Sequence, residues 1–223
     1  MKNCSCIEVQ TKFLNFINYS YIIVDNITRS AAIIDPLWEL EKLVTKINKL
    51  NLKLKSVLLT HSHKDYVNLV NTLIDLYNVE VYISKKEAEF YKFNSKNLNL
   101  ICDNDIIKLG HSKIKGLLTP GHTIGSMCFL VDDTYLFTGD TLFTEGCGRC
   151  DYYGGSPEMM FESISRLKYE IHDNIKIYPG HSFGMDRGIT MKEMYKYNLY
   201  LNIDSKDIFV KFRTRGTPNI EFK

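Results

Sequence analysis

The sequence lacks every long hydrophobic segment that would direct a chain into a membrane. No apolar run reaches about 18 residues, the length of a transmembrane helix, and the first residues, MKNCSCIEVQTKF, lack the apolar core of a signal peptide. Neither sign of charge is in excess, since 28 Lys and Arg face 26 Asp and Glu for a net charge of +2. We therefore expect a cytoplasmic protein with no membrane or nucleic-acid partner, whose 6 cysteines are thiols.

Internal repeats, low-complexity tracts and linkers rich in Pro, Gly or Ser are missing as well. At roughly 150 residues per domain, the 223 residues make one large domain or two small ones. With 44% hydrophobic and 24% charged residues, the composition is that of an ordinary globular protein. We predict a single domain over residues 1–223.

Short β-branched runs alternate along the chain with segments of helical period. Predicted strands cover residues 20–25, 31–35, 55–60, 79–83, 106–109, 113–118, 126–131, 134–137 and 175–178. Predicted helices cover residues 37–50, 67–77, 85–93, 156–168 and 190–200. The turn-forming sequence NITRS joins the first two strands into a predicted hairpin, and Ser156 with Pro157 marks a helix start. This order predicts an α/β fold of two sheets with helices packed outside them.

Four histidines come directly after apolar, strand-like runs, in polar turns. They are His61 and His63 in LLTHSHKD, His122 in LLTPGHT and His181 in IYPGHS. Loops at strand ends are where α/β proteins build their sites, and three neutral imidazoles suit zinc with one position left open. Asp65 and Asp140 lie in turns of the same kind and are further candidate ligands. His111 and His172 lack this context, so we expect both at the surface.

The motifs THSHKD (60–65), TPGHT (119–123), TGDTLF (138–143) and YPGHS (178–182) follow one another in this order. With them the chain resembles the metallo-β-lactamase superfamily. GDTLFTEGCGR (139–149) and GSPEMM (155–160) extend the resemblance to the glyoxalase II branch. Within that branch GCGRCDYYGGSPEMM, YPGHSFG and FVKFRTR look most like the zinc-dependent hydrolases of bacterial trans-acyltransferase polyketide clusters.

The resemblance implies an αββα sandwich of two mixed β-sheets, with helices outside and the metals at one edge of the sheets. It also implies a ligand set for one or two zinc ions. Carried over by position, the first metal site is His61, His63 and His122, the second site takes Asp65 and His181, and Asp140 bridges the two.

Two departures from the family pattern affect this expectation. The pattern H-x-H-x-D-H ends in His, whereas Tyr66 stands there in this chain, so a ligand of the second site is lost or replaced. A glutathione pocket is also in doubt, because Phe183 brings no hydroxyl after the last histidine motif. We identify Arg149 and Phe183 as candidate substrate contacts. Lys211, Arg213 and Arg215 either meet the phosphate of a phosphopantetheine arm or form a solvated basic tail.

The resulting hypothesis is a metal-dependent hydrolase that cleaves a thioester by a zinc-bound hydroxide. Asp65 would orient that hydroxide and take its proton, and Tyr66 would donate a hydrogen bond to the oxyanion. The expected substrate is an acyl group on a carrier protein or on CoA in polyketide biosynthesis. Three alternatives stay open: a mononuclear iron persulfide dioxygenase, a hydroxyacylglutathione hydrolase, and a degenerate homologue that binds without turnover.

Overall fold

A computed structural model describes residues 3–13, 16–181, 184 and 186–215. Its first sheet has six strands in the order β1-β2-β3-β4-β5-β6. These strands are β1 (Cys4–Phe13), β2 (Phe16–Asp25), β3 (Ser30–Ile34), β4 (Lys53–Leu58), β5 (Glu80–Ser84) and β6 (Leu98–Ile101). Strands β1 to β3 pair antiparallel, and β3 to β6 pair parallel. The predicted hairpin of the first two sequence-derived strands is confirmed as β2 and β3.

The second sheet has five strands in the order β11-β10-β9-β8-β7. These strands are β7 (Ile106–Leu109), β8 (Ser112–Leu118), β9 (Met127–Val131), β10 (Tyr135–Gly139) and β11 (Lys176–Pro179). All neighbours are antiparallel except β10 and β11, which pair parallel. Both sheets are therefore mixed, as the resemblance implies.

The helices cover the outer faces of the two sheets. They are α1 (Leu40–Lys49), α2 (Lys64–Val67), α3 (Val70–Tyr77), α4 (Lys85–Tyr91), α5 (Pro157–Glu170), α6 (Met191–Met194) and α7 (Lys206–Arg213). One buried cluster joins the first sheet to α1, α3 and α4, and a second joins the other sheet to α5, α6 and α7. A third cluster, which includes Tyr21, Phe129 and Phe137, lies between the sheets. The predicted αββα sandwich is confirmed. None of the helices in the described ranges is long and apolar enough to cross a bilayer.

Helix starts follow the sequence signals, whereas the C-terminal part of the chain differs from its prediction. The Ser156 side chain accepts a hydrogen bond from the Met159 amide and Pro157 opens α5, as expected. The predicted helix 190–200 is wrong: α6 ends at Met194, and a short 3₁₀ helix (Leu199–Asn202) follows. The cause is Asn198, whose buried amide donates to main-chain carbonyls of the 143–146 loop instead of facing solvent. The last helix is α7, at the basic segment.

Candidate metal centre

The predicted ligands lie in loops that follow strands of both sheets. His61 comes after β4 and His63 caps the short helix α2. In the other sheet His122 follows β8, and Asp140 and His181 follow β10 and β11. Two hydrogen bonds connect these loops, from Met127 N to Thr60 O at 2.9 Å and from Gly180 N to Gly139 O at 2.9 Å. The site therefore lies where edges of the two sheets meet.

Three imidazoles form the centre of this site. Ligand nitrogens of His61, His63 and His122 all lie within 4.8 Å of one another. The His61 ring centroid is 4.7 Å from that of His63 and 4.9 Å from that of His122. This is the first-site set that the resemblance implies, gathered from both sheets. His111 and His172 are exposed and lie outside it, as predicted.

The protonation and hydrogen bonding of these histidines fit a metal ion. Burial, helped by the neighbouring imidazoles, holds the pKa of His61 well below its ordinary value, and burial beside His122 lowers the pKa of His63 to about 4. His61 Nδ1 is 3.1 Å from the Thr60 hydroxyl, while its buried Nε2 has no hydrogen-bond partner among the described residues. A buried polar atom without a partner costs about 1–3 kcal/mol. A cation bound by this nitrogen removes that cost, and the lowered pKa values of His61 and His63 favour the neutral form in which imidazole binds metals.

Asp140 places a carboxylate between the three imidazoles and His181. Its Oδ2 is 3.5 Å from His122 Nε2 and 3.4 Å from His181 Nε2. Burial opposes ionisation of Asp140, but the charges of His181 and His122 outweigh it and hold its pKa well below the ordinary value. Burial likewise opposes charge on His181, yet Asp140 raises the pKa of that imidazole to about 9. The two residues therefore form an ion pair in the metal-free protein.

Asp65 lies beside this pair on helix α2. It is half-buried, and Asn18 Nδ2 donates to its Oδ2 at 3.5 Å. Burial and the charge of Asp140 raise the pKa of Asp65. The carboxylate is therefore more basic than an exposed one, which suits a group that takes a proton from water.

Tyr66 also faces Asp140. Its side chain is buried, and its hydroxyl donates a hydrogen bond of 2.6 Å to Asp140 Oδ1. Burial, with the charges of Asp140 and Asp65, raises the pKa of this phenol well above its ordinary value, so it is neutral. The predicted contact of Tyr66 with an oxyanion stays a prediction, and in the structure the hydroxyl proton goes to Asp140 instead.

Glu87, which sequence reasoning missed, ties the two histidine loops together. Its Oε1 accepts hydrogen bonds from the Ser62 amide and hydroxyl, both at 2.8 Å. Its Oε2 accepts from the Thr123 hydroxyl at 2.7 Å and from the Gly125 amide at 3.0 Å. The residue is fully buried at the start of α4. The spacing Ser84-x-x-Glu87 is typical of a capping box and would have singled it out, though only as a helix start.

Asp35 is a second buried carboxylate behind the site. It accepts hydrogen bonds from the Thr60 amide and hydroxyl, both at 2.8 Å, and the same hydroxyl is next to His61. Burial raises the pKa of Asp35 to about 8. In the sequence, Asp35 comes before Pro36 at the end of a predicted strand. That position predicts a turn, but it does not predict a contact with the loop that carries His61.

The loop 147–152 orients His122 from the other side. Its Arg149 carbonyl is 2.7 Å from His122 Nδ1, which leaves Nε2 for a metal. A Cβ at Gly148 would clash with the Asp140 carbonyl, so only glycine fits this approach. The Arg149 side chain, predicted as a substrate contact, pairs with Asp151 at 2.6 Å and lies 4.7 Å from the Tyr152 ring centroid.

The aromatic ring of Tyr152 lies beside the histidines, and its chain neighbour Tyr153 packs on Phe90. The Tyr152 ring is 5.6 Å from the His63 ring, and the Tyr153 ring stacks on Phe90 at 4.9 Å. Phe90 and Tyr152 are each 39% exposed and Tyr153 is 78% exposed, so apolar surface is open to a ligand beside the histidines. We refer to Phe90, Tyr152 and Tyr153 as the aromatic rim.

The predicted basic group at the C-terminus does not form one solvated tail. Lys211 and Arg215 are exposed, but Arg213 is half-buried on α7 and its Nε donates to the Gly148 carbonyl at 2.9 Å. Arg213 also lines a cavity of about 180 Å³ together with Cys150, Asp151, Pro157 and Thr214. A phosphate contact of these cations stays a prediction.

Two sequence features lie next to His181, in a stretch that the structure describes only in part. Phe183, a predicted substrate contact, is not among the described residues. The stretch GHSFG (180–184) has the spacing G-x-S-x-G of serine hydrolases, in which the serine stands between a strand and a helix that follows at once. Here β11 ends at Pro179 and the next helix in the described part begins at Met191. That separation does not match a serine nucleophile turn.

Comparison with known proteins agrees with this geometry. A family profile described as "Metallo-beta-lactamase superfamily" matches residues 15–181. "Probable polyketide biosynthesis zinc-dependent hydrolase PksB" from Bacillus subtilis (strain 168) is 49% identical over 207 residues, 93% of this chain and 92% of the relative. BaeB from Bacillus velezensis (strain DSM 23117 / BGSC 10A6 / LMG 26770 / FZB42), with the same descriptive name, is 45% identical over 208 residues, 93% of this chain and 92% of the relative. A crystal structure of a metallo-beta-lactamase from Staphylococcus aureus subsp. aureus COL superposes with a TM-score of 0.88 at 28% identity, covering 97% of this chain and 69% of that one.

Proposed function

Because the chain belongs to the metallo-β-lactamase superfamily, we propose that it hydrolyses a thioester, namely an acyl group held on a carrier protein or on CoA in polyketide biosynthesis. The chain is a metal-dependent hydrolase of the glyoxalase II-like kind. The observation that carries the proposal is the cluster of three imidazoles with an unpartnered, buried His61 Nε2 among the described residues. The relatives named for polyketide biosynthesis support the substrate class.

The residues that would hold zinc are His61, His63 and His122, with Asp140 as the carboxylate beside them. Zinc supplies Lewis acidity, which makes water a nucleophile near neutral pH and polarises a carbonyl. The remaining groups orient the ligands. Thr60 fixes the Nδ1 side of His61, and the Arg149 carbonyl fixes that of His122.

Asp65 is the residue that we assign to proton transfer. Its carboxylate is half-buried beside Asp140 and its raised pKa favours taking a proton from the attacking water. The leaving thiolate needs no strong general acid, so a thioester suits a site with one basic carboxylate. Neither a serine nor a cysteine nucleophile is required.

The aromatic rim is the surface that we assign to the acyl chain. Its rings are exposed and one of them, Tyr152, lies next to His63, so an apolar acyl group that packs on Tyr152 would bring its carbonyl next to the histidines. Arg149 adds a cation beside Tyr152. Of the three predicted cations, the exposed Lys211 and Arg215 are those that we propose for the phosphate of a pantetheine arm, because Arg213 already donates to the Gly148 carbonyl.

The test is hydrolysis of one acyl group presented on a carrier protein, on CoA and on glutathione. We expect kcat/KM to be at least tenfold higher for the first two than for glutathione, and activity to disappear in the double variant His61→Ala with His63→Ala. The variant His111→Ala, which alters an exposed histidine, should behave as wild type. A preference for the glutathione thioester would instead make the chain a hydroxyacylglutathione hydrolase. Turnover of none of the three by the metal-loaded protein would contradict the proposal.

A mononuclear iron persulfide dioxygenase is the second candidate, and the presence of Tyr66 in place of a family histidine favours it. Such a reaction needs only one complete metal site, which the first-site histidines and Asp140 supply. Elemental analysis of protein purified without added metal separates the two. Bound zinc supports the hydrolase, and bound iron with sulfur oxidation supports the dioxygenase.

A further inference from the structure

The second metal position would need four groups, of which this chain keeps three. The resemblance assigns it Asp65, His181 and the bridging Asp140, together with the side chain at position 66. In this chain that side chain is a phenol, whose ring centroid lies 4.0 Å from the His61 ring and 5.8 Å from the His181 ring. Tyr66 therefore lies near a predicted ligand of each site, at the sequence position of the missing ligand.

The two carboxylate oxygens of Asp140 have different partners. Oδ2 faces His122 at 3.5 Å and His181 at 3.4 Å. Oδ1 accepts the Tyr66 hydroxyl at 2.6 Å. A carboxylate can bridge two cations through both of its oxygens or through one. The Tyr66 hydroxyl is a proton donor on Oδ1, so it removes that oxygen as a metal ligand and with it the two-oxygen bridge.

The backbone at Gly180 leaves room for the hydroxyl of Tyr66. A Cβ at position 180 would collide with the Tyr66 hydroxyl, so Gly180 leaves the space that the hydroxyl fills next to Asp140. Tyr66 itself is 1% exposed, among the largest fully buried side chains of the described residues. The phenol thus fills the space between Gly180 and Asp140 Oδ1.

We propose that Tyr66 closes the second metal position, so that this chain binds a single metal ion tightly, at His61, His63, His122 and Asp140. Asp65 and His181 then act as hydrogen-bonding groups beside that ion. The number of bound metal ions does not depend on the substrate proposed above. If the thioester assays fail, the single-ion proposal still holds. If the protein binds two ions, the outcome of the thioester assays is not affected.

The test counts tightly bound zinc after stripping with a chelator, reloading and desalting. Calorimetric titration of the metal-free protein gives the number of sites independently of activity. Wild type should bind one equivalent, and His181→Ala should still bind one, because His181 is not needed for the single site. Two tight equivalents in wild type, falling to one in His181→Ala, would overturn the proposal.

Substitutions at position 66 test the cause. Tyr66→His restores the family ligand, and we expect a second equivalent to appear with at least tenfold higher affinity than any second binding by wild type. Tyr66→Phe removes the hydroxyl without adding a ligand and serves as the matched control, with one equivalent expected. Circular dichroism and melting temperature establish that each variant folds. If folded Tyr66→His binds only one equivalent, the loss of the second site has another cause and the role given to Tyr66 is wrong.

Discussion

Glu87 is one buried carboxylate that accepts four hydrogen bonds from the two loops carrying His63 and His122. Glutamine at this position would turn an amide N–H₂ toward groups that are donors themselves. A buried donor left without an acceptor costs about 1–3 kcal/mol. We expect Glu87→Gln to loosen both loops and to weaken zinc binding at least tenfold, measured by competition with a chromophoric chelator.

Glu89 provides the control for this substitution. It lies on the same helix, its side chain is 62% exposed, and it pairs only loosely with Lys85 at 3.7 Å. Surface pairs of this kind contribute about 0–1 kcal/mol. Glu89→Gln should therefore keep wild-type zinc affinity. Equal affinity in Glu87→Gln and Glu89→Gln would show that the four hydrogen bonds do not position the ligands.

At the scale of single residues, the sequence revealed the ligands but not the groups that hold them. His61, His63 and His122 could be found because a histidine after an apolar run is unusual. Glu87 and Asp35 could not be linked to the site, since their partners lie in loops far away along the chain. The hydrogen-bond partner of Tyr66, Asp140, likewise lies 74 residues away in the sequence.

At the scale of elements, local sequence patterns predicted those helix starts and turns that depend on interactions between residues close in sequence. The hairpin of β2 and β3 and the start of α5 depend on turn and capping residues, and both are confirmed. The end of α6 depends instead on Asn198, whose amide bonds the carbonyls of Phe143 and Gly146. Helical periodicity carries no information about such tertiary partners, so the predicted helix was too long and α7 was missed.

Helix α7 is connected to the metal centre through Arg213, which suggests a different role from a phosphate contact. Arg213 Nε binds the Gly148 carbonyl, and the next carbonyl, of Arg149, is bonded to His122. If Arg213 positions this loop, Arg213→Ala should lower zinc affinity and reduce kcat about equally on a CoA thioester and on a truncated thioester without phosphate. Kinetics on both substrates and a zinc titration measure this.

The exposed Arg215 is the matched control for Arg213. Arg215→Ala should leave zinc affinity and the truncated substrate unchanged. If Arg213→Ala instead raises KM for the CoA thioester alone and keeps normal zinc affinity, Arg213 contacts the phosphate and its positioning role is contradicted.

At the scale of the whole molecule, the αββα arrangement could be predicted from element order and family resemblance, whereas the contact between the sheets could not. The inner faces meet through aromatic rings: Tyr21 of the first sheet lies 5.1 Å from Phe137 and 5.4 Å from Tyr178 of the second. That packing brings strand ends of both sheets together and so assembles a site whose ligands come from separate halves of the chain. That residues 1–223 form one domain stays a prediction.

A metal ion at this junction should stabilise the whole fold, because His61 and His63 follow a strand of one sheet and His122 and Asp140 follow strands of the other. A ligand that binds only the native state stabilises it by about 2.7 kcal/mol at 100 times its Kd. For a chain of this size 1 kcal/mol shifts the melting temperature by about 2–4 °C. We therefore expect chelation to lower the melting temperature of wild type by about 5–11 °C, measured by calorimetry, and readdition of zinc to restore it. His111→Ala should show the full shift, and the double variant His61→Ala with His63→Ala should show none. An equal shift in that double variant would mean that the stabilising ion binds elsewhere in the molecule.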